Sequence, residues 1–151
     1  SGEAGYSASR RIKGVVLHDI LAKVKVPSDL RDAVFAAVRS GDITSSEAET
    51  AYEHLGPAIE RMQEEYGWFP EDGARVLNEA EIMDSDGAVY RPDRVVTSGN
   101  KVSVIDFKFG EQHQSYERQV SRYARIWRRM GYEDVSSYLW YVHTGAVMRI
   151  L

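Results

Sequence analysis

Up to about Tyr66 the apolar residues of the chain recur at helical spacing, and beyond Gly67 they gather into short β-rich runs. Ile12, Val15, Val16, Ile20 and Val24 predict an amphipathic helix from about Ser9 to Val24, closed by Pro27. Ser28 is placed to cap a second helix through about Arg39, with Leu30, Val34, Ala37 and Val38 on its apolar side and Gly41 as its stop. Thr44-Ser45-Ser46-Glu47 reads as a capping box opening a third helix to Tyr66, with Gly56-Pro57 expected to kink or break it. Val76-Leu77, Ile82-Met83, Val89 to Val96 and Val102 to Phe109 follow as strand-like runs. They are separated by the turn sequences Asp84-Ser85-Asp86-Gly87 and Thr97-Ser98-Gly99-Asn100, so three consecutive antiparallel strands are expected. Helical period returns from about Gln114 to Met130. Ser137 to Val142 and Ala146 to Leu151 then predict two closing strands joined at Thr144-Gly145. The pattern contains no internal repeat or linker, and it predicts a single α/β (α+β) domain over residues 1–151.

Composition narrows the classes of function. With 43% apolar and 11% aromatic residues in 151, the chain can bury one core and is not expected to be disordered. It has no cysteine, which removes disulfide frameworks, thiol catalysis, zinc-thiolate sites and cysteine-ligated iron-sulfur clusters and suits a reducing, cytoplasmic setting. No apolar run approaches the roughly 18 to 20 residues of a membrane helix, and no charged-then-apolar leader opens the chain. A soluble protein without a membrane partner is therefore expected. The opening Ser1-Gly2, without an initiator methionine, suggests a domain cut from a longer polypeptide. A net charge of −4 argues against coating nucleic acid by bulk charge, so any polyanion binding has to come from local patterning.

The chemistry concentrates in one stretch. Thirteen positions separate Asp93 from Asp106, and Asp106-Phe107-Lys108 sits inside an apolar strand-like run. Alternation along a strand puts Asp106 and Lys108 on one face while Ile105, Phe107 and Phe109 point into a core. Cleaving a phosphodiester calls for a hard divalent cation on carboxylate oxygens and a cationic group beside the attacking water. Asp93, Asp106 and Lys108 are residue types that supply both. On the helix that follows, Arg118, Arg122, Arg125 and Arg129 form a stripe able to grip a DNA backbone, and a solvated charged face is the bland alternative. Trp68, Trp127, Tyr138 and Trp140 read as core or contact aromatics.

Pro92-Asp93 on a middle strand and Asp106-x-Lys108 on the next, within this order of elements, resemble the PD-(D/E)XK nuclease superfamily over about Gly14 to Val142. The resemblance implies a restriction-endonuclease-like core: a mixed central sheet holding a three-stranded antiparallel meander, flanked by helices, here with extra N-terminal helices. Gly14-Val15-Val16-Leu17-His18-Asp19-Ile20-Leu21 resembles the G-x-x-x-H-x-x-L of the RecB/AddA-like nuclease domains attached to bacterial helicases. Tyr116-Glu117-Arg118-Gln119-Val120-Ser121-Arg122-Tyr123 is similar to their Y-x-x-Q-h-x-x-Y, and Glu79 falls where that family often has a strand glutamate.

What the resemblance implies is Mg²⁺- or Mn²⁺-dependent hydrolysis of DNA, as exonuclease or endonuclease, in recombination and repair. His18, Asp93, Asp106 and the carbonyl of Phe107 would hold the metal. Lys108 would orient the attacking water, Glu79 would stand beside the site, and Gln119 and Tyr123 would brace the lysine or contact a phosphate. Arg118, Arg122 and Arg125 would meet the nucleic acid. Single-stranded DNA ends are the implied substrate, with helicase domains in cis or a helicase subunit in trans. The chain departs from the iron-sulfur branch by lacking its cysteines, and it carries no helicase motif. The alternatives are a stand-alone repair or restriction-type endonuclease, a nuclease-fold module that binds DNA or a partner without cutting, and a scaffold unrelated to nucleic acid.

Overall fold

The structure, a computed structural model, describes residues 12–83, 87, 89–110 and 114–150, and for 114–117, 119 and 120 it describes the backbone alone. The chain divides into two compact units. One runs up to Glu71 and includes Val142–Gly145; the other comprises Asp72–Tyr141 with the residues from Ala146. Among the described residues no helix is long and apolar enough to cross a membrane.

The first unit is helical: α1 is Gly14–Ala22, α2 Leu30–Arg39 and α3 Ser45–Tyr66, with a 3₁₀ turn at Pro27–Asp29. Residues from Ser9 to Arg11, expected to begin α1, lie outside the described residues. The buried side of α1 is Leu17, Ile20 and Leu21, while Val15, expected on the apolar face, is exposed. Ser28 does not cap α2. Asp29 holds the N-cap position without a side-chain bond to α2; its carboxylate instead accepts the backbone N–H groups of Lys25 and Val26 at 3.0 and 3.2 Å, which fixes the 3₁₀ turn ahead of the helix.

The capping box on α3 forms in both directions: Glu47 N–H donates to Thr44 Oγ1 at 3.1 Å, and Thr44 N–H donates to Glu47 Oε1 at 3.0 Å. Contrary to expectation, α3 is not broken at Gly56-Pro57. Ala51, Leu55, Ile59 and Met62 continue one buried stripe past the proline, so packing on both sides outweighs the lost backbone donor. Gly67 ends α3 in the left-handed conformation, φ 70°, with its N–H on Gln63 O.

The second unit holds a mixed five-stranded sheet of β1 (Arg75–Asn78), β4 (Arg94–Ser98), β5 (Lys101–Lys108), β6 (Asp134–Tyr141) and β7 (Ala146–Arg149), in the order β1-β4-β5-β6-β7. β1, β4 and β5 pair antiparallel, β5 and β6 parallel, and β6 and β7 antiparallel. A parallel pair needs a long crossover, supplied by α4, Gln114–Arg129. α4 covers one sheet face with Tyr123, Ala124, Ile126 and Trp127 against Val95, Val102, Val104 and Val135. The mixed α/β class with an antiparallel three-strand segment thus matches the expectation.

The expected single strand from Val89 to Val96 is two. β3, Val89–Tyr90, pairs with β2, Ile82–Met83, in a separate ladder, and β4 begins only at Arg94. Pro92 is the physical cause, because it has no N–H for a ladder and restricts the residue before it. Of the turn Asp84-Ser85-Asp86-Gly87, the first three residues lie outside the described residues, as does Leu151.

Because Thr44 satisfies an otherwise orphaned donor, Thr44→Ala should lower unfolding stability by about 1 kcal/mol. Urea denaturation followed by far-ultraviolet circular dichroism measures this; an unchanged midpoint would mean that the cap does not hold α3.

Candidate active site

β4 and β5 bring the two aspartates together by register. Arg94 lies opposite Ile105 and Val95 opposite Val104, so the next position of the same ladder sets Asp93 against Asp106. Regular pairing gives way there to a reciprocal lock between main chain and side chain. Asp93 N–H donates to Asp106 Oδ1 at 3.0 Å, and Phe107 N–H donates to Asp93 Oδ2 at 2.7 Å. Each carboxyl is thereby held by the other strand's backbone, and the 2.7 Å bond to Asp93 has the short geometry of a charge-assisted one.

On the opposite side of β4, β1 continues the row. Asn78 lies opposite Arg94, and Glu79 N–H donates to Asp93 O at 3.1 Å. Glu79 just past β1, Asp93 just before β4 and Asp106 on β5 therefore form one row, next to the Leu77–Val95–Val104 row that α4 covers. Glu79 sits one residue past β1 rather than on it, at φ 53°, a left-handed backbone uncommon outside glycine. Its carboxylate binds Arg91 Nη2 at 2.9 Å, and its carbonyl accepts from Arg91 Nε at 3.0 Å. The two aspartates are joined directly, whereas Glu79 turns to an arginine.

Asp106 is only 3% exposed, and Lys108, two residues along, is half-buried. Alternation puts both on the face of Val102 and Val104, at the end of the apolar surface under α4. On the other face Ile105 and Phe107 are buried, with the Phe107 ring edge-on to Trp140 at 5.6 Å; Phe109, past the strand end, is half-buried. Burial, and after it the neighbouring Asp93 charge, push the Asp106 carboxyl up from 3.8 to about 7, against the opposing pull of the Asp93 backbone hydrogen bond and the Lys108 charge.

Tyr123 lies on the buried side of α4, 3% exposed, edge-on to Tyr90 at 5.8 Å. Gln119 falls on α4 with its side chain outside the described residues. Arg118, Arg122, Arg125 and Arg129 are all exposed. The Arg122 guanidinium stands 4.8 Å over the Tyr90 ring, a cation–π contact that ties one member of the stripe to the residues leading into Asp93. His18 is half-buried on α1 in the helical unit.

Two arginines escaped the sequence reading. Arg91 engages Glu79, and no periodicity relates residues twelve apart across a loop. Arg94, fully buried, donates from Nη1 to Asn78 Oδ1 at 3.0 Å. A charged residue opening the apolar run Arg94-Val95-Val96 was the available signal, since arginine is rarely buried without a partner.

No family model and no curated protein matches this chain.

The donor set fits a hard divalent cation. Asp93 and Asp106 offer oxygen only, the ligand type of Mg²⁺ and Mn²⁺, and two neighbouring carboxylates, one buried and one half-buried, are stabilised by a cation. The shifted carboxyl also gives a test. Folded Asp106 keeps its proton up to about pH 7, while the unfolded chain loses it near 3.8. The folded state thus binds more protons between those values, and the stability contributed below 3.8 is lost as pH rises through 7. Asp106→Asn can accept the same Asp93 N–H without the charge. In EDTA, its melting temperature relative to the native protein should rise steadily from acid to neutral pH. A constant difference across that range would refute the shifted carboxyl.

Proposed function

We propose that the chain is a metal-dependent deoxyribonuclease domain of the PD-(D/E)XK type, RecB/AddA-like, hydrolysing DNA phosphodiesters in recombination and repair. The observation that carries this reading is the backbone-locked Asp93–Asp106 pair with Lys108 on the same strand face. Proteins place a buried carboxyl beside a second carboxylate at a cost, and perturbed carboxyls of this kind cluster at functional sites.

In this reading Asp93 and Asp106 hold Mg²⁺ or Mn²⁺. His18 and the carbonyl of Phe107 are further ligands on the strength of the resemblance alone. A bound divalent cation supplies charge stabilisation at the phosphate and lowers the pKa of an attached water. The chain's own groups do the remaining work. The lock fixes both carboxylates before substrate arrives, so little reorganisation is needed. Lys108 holds the attacking water in line and offsets negative charge on the phosphate. The Glu79–Arg91 pair keeps the first strand's end beside Asp93, and Tyr123 anchors α4 beneath the site through Tyr90. Gln119 is assigned to bracing Lys108 by the resemblance alone.

Exposed Arg118, Arg122 and Arg125 follow the DNA backbone as fork donors. Single-stranded DNA ends delivered by helicase domains, in cis or in trans, are the proposed substrate, in a cytoplasmic setting.

Labelled linear DNA, single- and double-stranded, incubated with Mg²⁺, Mn²⁺ or EDTA tests the reading. Metal-dependent cutting is expected, abolished in Asp106→Ala and reduced about 100-fold or more in Lys108→Ala. Cutting that survives in Asp106→Ala would remove the assignment. Absence of cutting in the native chain, with metal still bound, would point to a domain that needs its helicase, and absence of metal binding would favour a nuclease-fold module that does not cleave.

A further inference from the structure

The helical unit contains a second cluster of ligating atoms that the carboxylate site does not use. His54 projects from α3, and His143 lies in the turn Val142–Gly145. The two are 89 residues apart in sequence, yet His143 Nδ1 and His54 Nε2 are 3.2 Å apart. Their ring centroids are separated by 5.2 Å and the planes tilt by 31°. Two imidazoles on one tetrahedral ion, with bonds of about 2.05 Å, would have nitrogens about 3.3 Å and centroids about 5.2 Å apart. The same spacing satisfies a direct N–H···N hydrogen bond between neutral rings, so the two nitrogens already converge at the separation a shared cation requires.

We propose that His54 and His143 form a binding site for a borderline divalent transition metal, Zn²⁺ foremost, that clips the Val142–Gly145 turn to α3. Imidazole nitrogens prefer Zn²⁺, Ni²⁺ and Cu²⁺ over Mg²⁺, so the site is chemically orthogonal to the aspartate pair. Both rings are half-buried, leaving one side for water to complete the coordination shell. Gly145 sits at φ 78°, and a Cβ there would come within 2.8 Å of Arg61 Nη1. The glycine therefore lets the turn lie close against α3. Arg61 approaches that turn, and its Nε binds Glu65 at 2.9 Å, which offsets the charge it would set against a metal ion.

The test uses the full chain without an affinity tag, stripped with EDTA and then supplied with excess Mg²⁺ to occupy the carboxylates. Zn²⁺ should raise the melting temperature by several degrees through mass action. Co²⁺ should bind at one per chain with the intense visible absorption of a tetrahedral nitrogen-ligated ion. Both responses should vanish in His54→Gln and in His143→Gln, and persist in His18→Gln and Asp106→Asn. Metal-free circular dichroism shows whether each variant folds; if one does not, the other decides. No Zn²⁺ response in the native chain, an undiminished response in either pair variant, or equal loss in His18→Gln or Asp106→Asn would overturn the proposal.

Discussion

Everything at the candidate site depends on the reciprocal bonds between Asp93 and Asp106. Here the Asp106 carboxylate takes the Asp93 N–H, and the Asp93 carboxylate takes the Phe107 N–H. Two backbone donors that the sheet would otherwise have to satisfy are met by side chains, and two carboxylates gain fixed orientations. Burial of Asp106, and after it the repulsion from Asp93, is the unfavourable contribution, and both are expressed in the elevated Asp106 carboxyl. Such an arrangement is stable as a protonated pair or as a pair around a cation. That duality is the physical basis for reading it as a metal locus.

The surrounding fold makes the lock possible. Pro92 ends the β2–β3 ladder and lets β4 restart at Arg94 in register with β5. β1 extends the row to Glu79, and α4 seals the adjacent apolar rows with Tyr123, Ile126 and Trp127. The polar row thus lies at the boundary where the covered sheet face meets its end, with Lys108 one pleat further. An exposed arginine stripe on α4, linked through Arg122 to Tyr90, extends the same neighbourhood with positive charge. This local patterning answers the net acidity of the chain, whose negative charge includes the carboxylates that a cation would neutralise.

Much of this was legible because local physics governed it. The Thr44–Glu47 box, the alternation of Val102, Val104, Asp106 and Lys108, and the amphipathic period of α4 are each set by neighbours in sequence. What the sequence hid was set by tertiary partners. Ser28 fell inside a 3₁₀ turn rather than at the cap of α2, because the Asp29 carboxylate reaches back to two donors before that turn. Packing of Leu55 and Ile59 carried α3 through Pro57. Glu79 left its strand for Arg91, and Arg94 was buried against Asn78, through contacts that no periodicity encodes. The adjacency of Asp93 and Asp106 lay between these cases: the types and spacing suggested it, and register with hydrogen bonds gave it a geometry.

The most direct measurement of the central claim is Mn²⁺ binding by calorimetry in buffers of differing ionisation enthalpy, at about pH 6 and about pH 8.5, because metal uptake by a protonated ligand must release that proton. If the aspartate pair is the metal locus, release should approach one proton per ion at the lower pH, fall to near zero at the higher, and disappear in Asp106→Asn. Binding without proton release at either pH, or release that persists in Asp106→Asn, would contradict it.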